Sequence, residues 1–168
     1  MPKAGRFGRM PWLWLSLLVF VIDQASKFYF DNALSMYQQI VVIPDYFSWT
    51  LAYNTGAAFS FLAGASGWQR WLFALIAIVV SAVLVVWLKR LKPDETWLAM
   101  ALALVLGGAL GNLVDRVLFG HVVDFILVHW QHRWYFPAFN VADAAITLGA
   151  ILLALDMFKS NKSGETTP

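Results

Sequence analysis

The sequence predicts an all-α integral membrane protein of four transmembrane helices with a small extracytoplasmic β-sheet element. Three observations predict it. The chain of 168 residues is 60% hydrophobic and 13% charged, against roughly a quarter charged in an ordinary soluble domain. Two apolar runs, Trp71 to Leu88 and Trp97 to Val114, carry no charge, and each is about 18 residues, or roughly 27 Å of helix, close to the hydrocarbon thickness. Lys and Arg concentrate where the gaps between apolar runs would face one side.

The first span is read over Pro11 to Phe30, interrupted by Asp23 and Lys27. A cleaved signal peptide is the rival, because basic residues precede the apolar stretch Trp12 to Ile22. Asp23-Gln24-Ala25-Ser26-Lys27 does not read as a small-residue cleavage site, so an uncleaved helix is expected. Asp23 and Lys27 stand at i and i+4 and are read as a structural ion pair near the outer interface.

Residues 31–67 form the first outer loop. Large apolar residues fall at every second position in Phe47-Ser48-Trp49-Thr50-Leu51-Ala52-Tyr53, the period of a strand with one apolar face. Ile40 to Ile43 is a second β-branched run, and Pro44-Asp45 between them reads as a turn. A strand cradle lying on the outer membrane surface is therefore expected. Asn54-Thr55-Gly56 marks another turn.

The second and third spans are the two uncharged runs. Gly107 and Gly111 form a small-xxx-small pair at the end of the third, and Gly108, Asn112, Asp115 and Arg116 share one helical face. A packing seam sealed by an Asp115–Arg116 pair and a functional polar face are both open on spacing alone. Residues 117–138 form a second outer loop, where Asp124 sits in an apolar setting, although a lone loop acid is more often a solvated turn residue, and His121, His129 and His132 are read as interfacial or solvated. The fourth span runs from Asn140 to Phe158, with Asn140 as N-cap and Asp143 at the third helical position. That acid is either a capping group or a carboxylate held at the outer surface. Asp156 lies at the inner end beside Lys159, a bystander. Residues 160–168 read as a disordered cytoplasmic tail, and 1–168 as a single membrane domain.

Composition narrows the chemistry. With no Cys, the chain has no disulfide, thiolate zinc site or cysteine nucleophile. There is no His-Glu-x-x-His, so no cofactor or metal is expected. No basic patch interleaved with aromatics points to nucleic acid. Gly64-Ala65-Ser66-Gly67 matches a rhomboid-type Gly-x-Ser-Gly string, but about four spans are too few for that fold, and it reads as a turn. Two acids at the mouth of one bundle, Asp124 and Asp143, split their pKa values, so one can hold a proton while the other acts as base, which is aspartic-peptidase chemistry.

Asp23-Gln24-x-Ser26-Lys27, Asn54-x-Gly56-x-Ala58-Phe59, Gly107-Gly108-x-x-Gly111-Asn112-x-x-Asp115-Arg116, Gly120-x-Val122-x-Asp124-Phe125 and Phe139-Asn140-x-Ala142-Asp143 run in order from the first span to the fourth. Together they resemble the lipoprotein signal peptidase (signal peptidase II) family. The resemblance implies an aspartic endopeptidase of the bacterial cytoplasmic (inner) membrane that cuts diacylglyceryl-modified prolipoproteins just before the lipidated Cys. It implies Asp124 and Asp143 as the catalytic pair, with Asn54, Asn112, Arg116 and Asn140 as polar site residues. It further implies membrane lipid as a partner and binding of globomycin, a cyclic peptide inhibitor. A small membrane transporter or lipid-binding scaffold is the alternative, with the same polar faces lining a path. No repeated halves are visible to support it.

Lys3, Arg6 and Arg9 precede the first span, Lys89, Arg90 and Lys92 fill the gap between the second and third, and Lys159 and Lys162 follow the fourth. Both termini are thus expected inside. Reporter domains fused after Gly64 and after Gln131 should be active only on the outer side; cytoplasmic activity at either point would reverse the topology.

Overall fold

The computed structural model describes residues 8–56, 67–131 and 133–164. Among the described residues, four helices are long and apolar enough to cross a membrane. A 3-10 turn at Met10–Trp12, with Pro11 in its first positions, leads into α1, Leu13–Ala33. The others are α2, Trp68–Arg90, α3, Thr96–Leu118, and α4, Val141–Gly164.

The bundle is built around α3, which packs against all three other helices. Its sequence explains why. Water cannot drive helices together inside lipid, so association rests on close packing and polar contacts, and small residues permit both. Ala99, Ala101, Ala103, Gly107, Gly108, Ala109 and Gly111 are all buried on α3. A Cβ on Gly107 would meet Ser16 O and Val19 of α1, and one on Gly108 would collide with Ala142 O of α4. On α4 itself, Gly149 rests against Ala101 O and Val105. On α1 the buried residues are Ser16, Val19, Asp23 and Lys27, spaced by three and four along one stripe. Leu17, Leu18, Val21 and Ile22 are exposed. The polar stripe faces protein and the apolar surface faces lipid, the reverse of a soluble helix.

The extramembrane part is a four-stranded antiparallel sheet in the order β1-β2-β3-β4. Its strands are β1, Gln39–Ile43, β2, Phe47–Asn54, β3, Val122–Trp130, and β4, Trp134–Tyr135. The two strands expected near 40–43 and 47–53 are present, joined at Pro44-Asp45-Tyr46, where Asp45 has φ of 67°. Between 117 and 138 the expectation was only a loop, and here the structure differs: β3 is the sheet's longest strand and β2's main partner. Val122 through Val128 is buried at most positions rather than at alternate ones, so the strand gives no period-2 signal.

Leu34, Leu51 and Val123 form a core beneath the sheet, against which Phe30 and Trp49 pack. Phe30 stacks on Phe125 with centroids 4.4 Å apart, which fastens β3 to the end of α1. On the other edge of β3, Ile126 N donates to Phe139 O at 2.9 Å and Phe139 N donates to Ile126 O at 3.0 Å. That bridge delivers Asn140 and the start of α4 beside Asp124.

At the other end, α4 continues to Gly164, past Ser160 where a disordered tail was expected. Each further residue added to an existing helix fixes few dihedrals for one more hydrogen bond, so a long apolar helix carries a short polar extension. Residues 165–168 lie outside the described residues.

Gly108→Ala should force α3 and α4 apart at Ala142 O, with an overpacking cost of about 1–3 kcal/mol. The thermal midpoint in detergent should fall, while Leu155→Ala at an exposed position on α4 changes it little. Equal midpoints would mean that α3 and α4 do not cross at Gly108.

Candidate active site

A buried charge cluster lies where α1, α3 and α4 meet. Lys27 Nζ is 2.8 Å from Asp23 Oδ2 and 2.9 Å from Asp115 Oδ2, with the three side chains almost wholly buried. The same ammonium donates to Asn112 Oδ1 at 2.9 Å. Its three protons therefore have three acceptors, the full capacity of a lysine. Asp23 Oδ1 accepts the backbone N–H of Ala142 at 2.8 Å, in the first turn of α4. Asp115 Oδ2 accepts Val123 N at 3.2 Å and its Oδ1 accepts Gln24 Nε2 at 2.8 Å. The expected Asp23–Lys27 pair is present, but as part of a triad. The Asp115–Arg116 seam is not: neighbouring residues on a helix point about 100° apart, so Asp115 turns to Lys27 while Arg116 turns toward Gly56 O and Phe73.

Beyond this cluster stand two further acids. Asn140 caps α4: its Oδ1 accepts Asp143 N at 2.9 Å, and Asp143 Oδ2 accepts Asn140 N at 3.3 Å. This reciprocal capping box holds the Asp143 carboxylate back over the helix end. Asn112 Nδ2 donates to Asp143 Oδ1 at 2.8 Å. The Asn140 amide also reaches across to β3, donating to Asp124 Oδ1 at 2.7 Å. Asn140 thus holds both carboxylates, Asp124 through its side-chain amide and Asp143 through its backbone N–H. Asp124 is buried and also hydrogen-bonded by the Asn54 side chain. Burial, and next the charge of Asp143, push the Asp124 carboxyl up to about 7, against the opposing pull of the Asn140 and Asn54 hydrogen bonds.

Asp143 stands at the head of a cleft of about 710 Å³ between α2, α3 and α4, and Asp124 is buried beside it. Asn54, Asn112, Arg116 and Asp143 line its polar end. Ile76, Val80, Val105, Ile146 and Ile151 line the rest, running down the helices toward mid-span. Several of these side chains are also exposed at the bundle surface, so the cleft opens sideways to lipid. Arg116 Nη1 donates to Asn112 O at 3.1 Å and its Nη2 donates to Gly56 O at 3.0 Å, while its guanidinium lies 5.5 Å from the Phe73 ring centre. Gly108 contributes by packing, since it lets α4 approach α3 closely enough for Asn112 to reach Asp143.

Asp23, Lys27, Asp115, Asn54, Asn112, Arg116, Asp124, Asn140 and Asp143 fall in these two adjoining clusters, joined through Asn112. Asp156 lies on the last turns of α4, away from both. His129 departs from expectation: it is buried, with Nε2 3.3 Å from Ser48 Oγ, because β3 carries it under the sheet. His121 stacks on Tyr53 at 4.0 Å, and burial lowers its pKa below the ordinary value. Gln24 is the residue whose role sequence reasoning missed; an amide between Asp23 and Lys27 in an apolar span was the available signal. Ala58, Phe59, Gly64, Ala65, Ser66 and His132 lie outside the described residues.

Over residues 15–159 the chain matches the family model described as Signal peptidase (SPase) II. The chain belongs to the signal peptidase II family. It is 83% identical over 162 residues to the lipoprotein signal peptidase of Pseudomonas putida, covering 96% of this chain and 95% of that one. A lipoprotein signal peptidase of Pseudomonas aeruginosa is 80% identical over 165 residues, with 98% of each chain covered. Among solved structures, a bacterial membrane enzyme determined by the in meso method at 2.3 Å superposes with a TM-score of 0.83 at 28% identity, covering 99% of this chain and 98% of that one. Family membership and four membrane-length helices make the chain a multi-pass enzyme of the bacterial inner membrane.

Replacing Lys27 should expose the electrostatics of the buried cluster. Lys27→Met leaves Asp23 and Asp115 buried without their cation, a loss of about 3–5 kcal/mol. The triple variant Asp23→Asn, Lys27→Met, Asp115→Asn should recover much of that stability, because no unpaired charge remains. Denaturant titration in detergent reads both; a Lys27→Met protein as stable as wild type would show the cluster to be hydrated.

Proposed function

We propose that this family member removes the signal peptide from diacylglyceryl-modified prolipoproteins, cutting just before the lipidated Cys, with Asp124 and Asp143 as its catalytic carboxylates. The observation that carries the reading is Asn140, whose side-chain amide holds Asp124 and whose backbone N–H holds Asp143, the acid that lines the lipid-facing cleft. A lipid-modified substrate cannot leave the bilayer, so its peptidase must present chemistry at the membrane surface beside an apolar channel. The apolar length of the cleft suits the acyl chains of such a substrate, or membrane lipid in its absence. A globomycin-type cyclic peptide would bind at the same polar head. The distribution of Lys and Arg supports inside termini and a dyad at the outer face.

The division of labour follows from the surroundings. Asp124, raised to about 7, keeps a proton up to the neutral range and in that form hydrogen-bonds the scissile carbonyl oxygen. Asp143, held as an acceptor by Asn112 and the Asn140 N–H, takes a proton from water. The hydroxide oxygen bonds to the carbonyl carbon, and the Asp124 proton moves to the oxygen. Collapse breaks the C–N bond, the Asp143 proton passes to the departing amine, and the hydroxyl proton returns to Asp124. Asn54 and Asn140 fix Asp124 throughout. Arg116, between Gly56 O and the cleft, would hold substrate carbonyls with its remaining N–H groups. The burial of Asp124 within the sheet limits its access to bulk water.

Asp124→Asn and Asp143→Asn should each lower turnover by at least about a hundredfold to ten-thousandfold, the range for general acid–base groups. Purification and binding of lipidated peptide should be retained, and Asp156→Asn should cleave normally. A gel shift of a lipidated prolipoprotein is the readout. Near wild-type cleavage by either dyad variant would remove the pair from the chemistry. The pH profile should be a bell whose limbs belong to the coupled pair. Because the Asp124 carboxyl is raised to about 7, it keeps its proton below that pH and loses it above. Turnover should therefore fall as pH rises through the neutral range, and a rate that keeps climbing past it would reverse the assignment.

A further inference from the structure

The end of β2 and the turn from α3 into β3 meet in a cluster for which the proposed peptidase chemistry has no direct use. Tyr53 precedes Asn54 on β2. Its hydroxyl donates to Asp31 Oδ1 at 2.7 Å, on the last turns of α1. Its ring stacks on the His121 imidazole, with centroids 4.0 Å apart and planes at 30°. Phe119 continues the aromatic contact at 6.3 Å from His121. His121 follows Gly120, whose φ of +83° makes the sharp turn out of α3. It precedes Val122, the residue opposite Asn54 across the ladder. Three segments, α1, β2 and the α3–β3 turn, are thus clipped together beside Asn54 and shortly before Asp124.

The clip sits where the ladder needs one. The β2–β3 register shifts between Trp49 and Ala52. Such an irregularity twists and loosens the pairing around it, so the stretch of Ala52 to Asn54 against Val122 to Asp124 depends on local restraint. Asn54 has two tasks there. Its Oδ1 accepts Gly56 N at 2.9 Å, and its side chain hydrogen-bonds Asp124. A small rotation of β2 would keep the first and break the second.

We propose that Tyr53 is a positioning residue for peptide cleavage: clipped to Asp31 and stacked on His121, it holds Asn54 against Asp124. The inference rests on the aspartic reading of Asp124. The hydrogen bond to Asp31 raises the Tyr53 hydroxyl above its ordinary pKa, so it stays a donor throughout the range of peptidase assays. Both partners are exposed to solvent, so the bond contributes little to global stability and its effect belongs in turnover.

The test uses the full chain in detergent with a lipidated prolipoprotein, and compares Tyr53→Phe, Asp31→Asn and Asp31→Ala. Tyr53→Phe keeps the ring and loses the donor; kcat should drop about tenfold, the scale of one hydrogen bond to a charged group, with KM and the thermal midpoint unchanged. Asp31→Ala should match it. Asp31→Asn retains an acceptor oxygen and should restore most of the rate. In an Asn54→Ala background, Tyr53→Phe should cause almost no further loss, because the contact it protects has gone. A Tyr53→Phe protein with full kcat, or one that loses the same factor in both backgrounds, overturns the positioning role. So does a loss of rate that tracks a fall in thermal midpoint. A wild-type chain that leaves the lipidated precursor uncut overturns the peptidase reading, and the clip with it.

Discussion

The arrangement depends on one ammonium group. Lys27 is held in the bundle by Asp23 of its own helix, by Asp115 and by the Asn112 oxygen. Moving these charges into a membrane interior is expensive one at a time, with at least about 2.5–3.5 kcal/mol for each on insertion scales. Together, one ammonium between two carboxylates leaves a single net negative charge, and the ammonium is hydrogen-bonded to capacity. The cluster binds more than side chains. Asp23 takes the first-turn N–H of α4 at Ala142, and Asp115 takes the N–H of Val123 as β3 begins. The two segments that carry Asp143 and Asp124 are each anchored to this triad through backbone.

That anchoring explains why groups so polar lie beside a lipid-facing cleft without collapsing upon one another. Asn112 faces both ways, accepting from Lys27 and donating to Asp143. Asn140 does the same between α4 and β3. Neutral amides separate the triad from the acid pair, so Lys27 steadies the site at a distance. The Asp124 carboxyl, left with amide partners and a like-charged neighbour, stays raised to about 7. Local structure and chemistry coincide at α4, where the capping box that starts the helix also orients Asp143.

Much of this was legible in one dimension because membranes impose simple rules. Span length, charge placement and small-residue spacing each answer to a single constraint: bilayer thickness, the positive-inside bias or helix contact. The capping of α4 by Asn140 and Asp143 is local and was read correctly. The first hairpin was visible because one of its strands alternates. By contrast, β3 has partners on both edges and is buried along most of its length, which erases the alternation. His129 was misjudged with it, since a histidine in an exposed loop and one on a covered strand look alike in sequence.

The sequence by itself determined that the chain spans the membrane four times, where small residues let its helices touch, and which polar residues lie inside apolar segments. Composition and periodicity suffice for these, because each concerns one segment against its solvent. Only the tertiary structure decided which of those polar residues meet. Asp115 could turn to Arg116 or to Lys27, and the approach of α1 to α3 at Gly107 and Gly111 chose Lys27. Asp124 could be a solvated loop acid or a buried one, and the Ile126–Phe139 bridge set it beside Asn140. Pairing between segments distant in the chain depends on how closely their backbones can approach, and that is settled by the packing of all four helices at once.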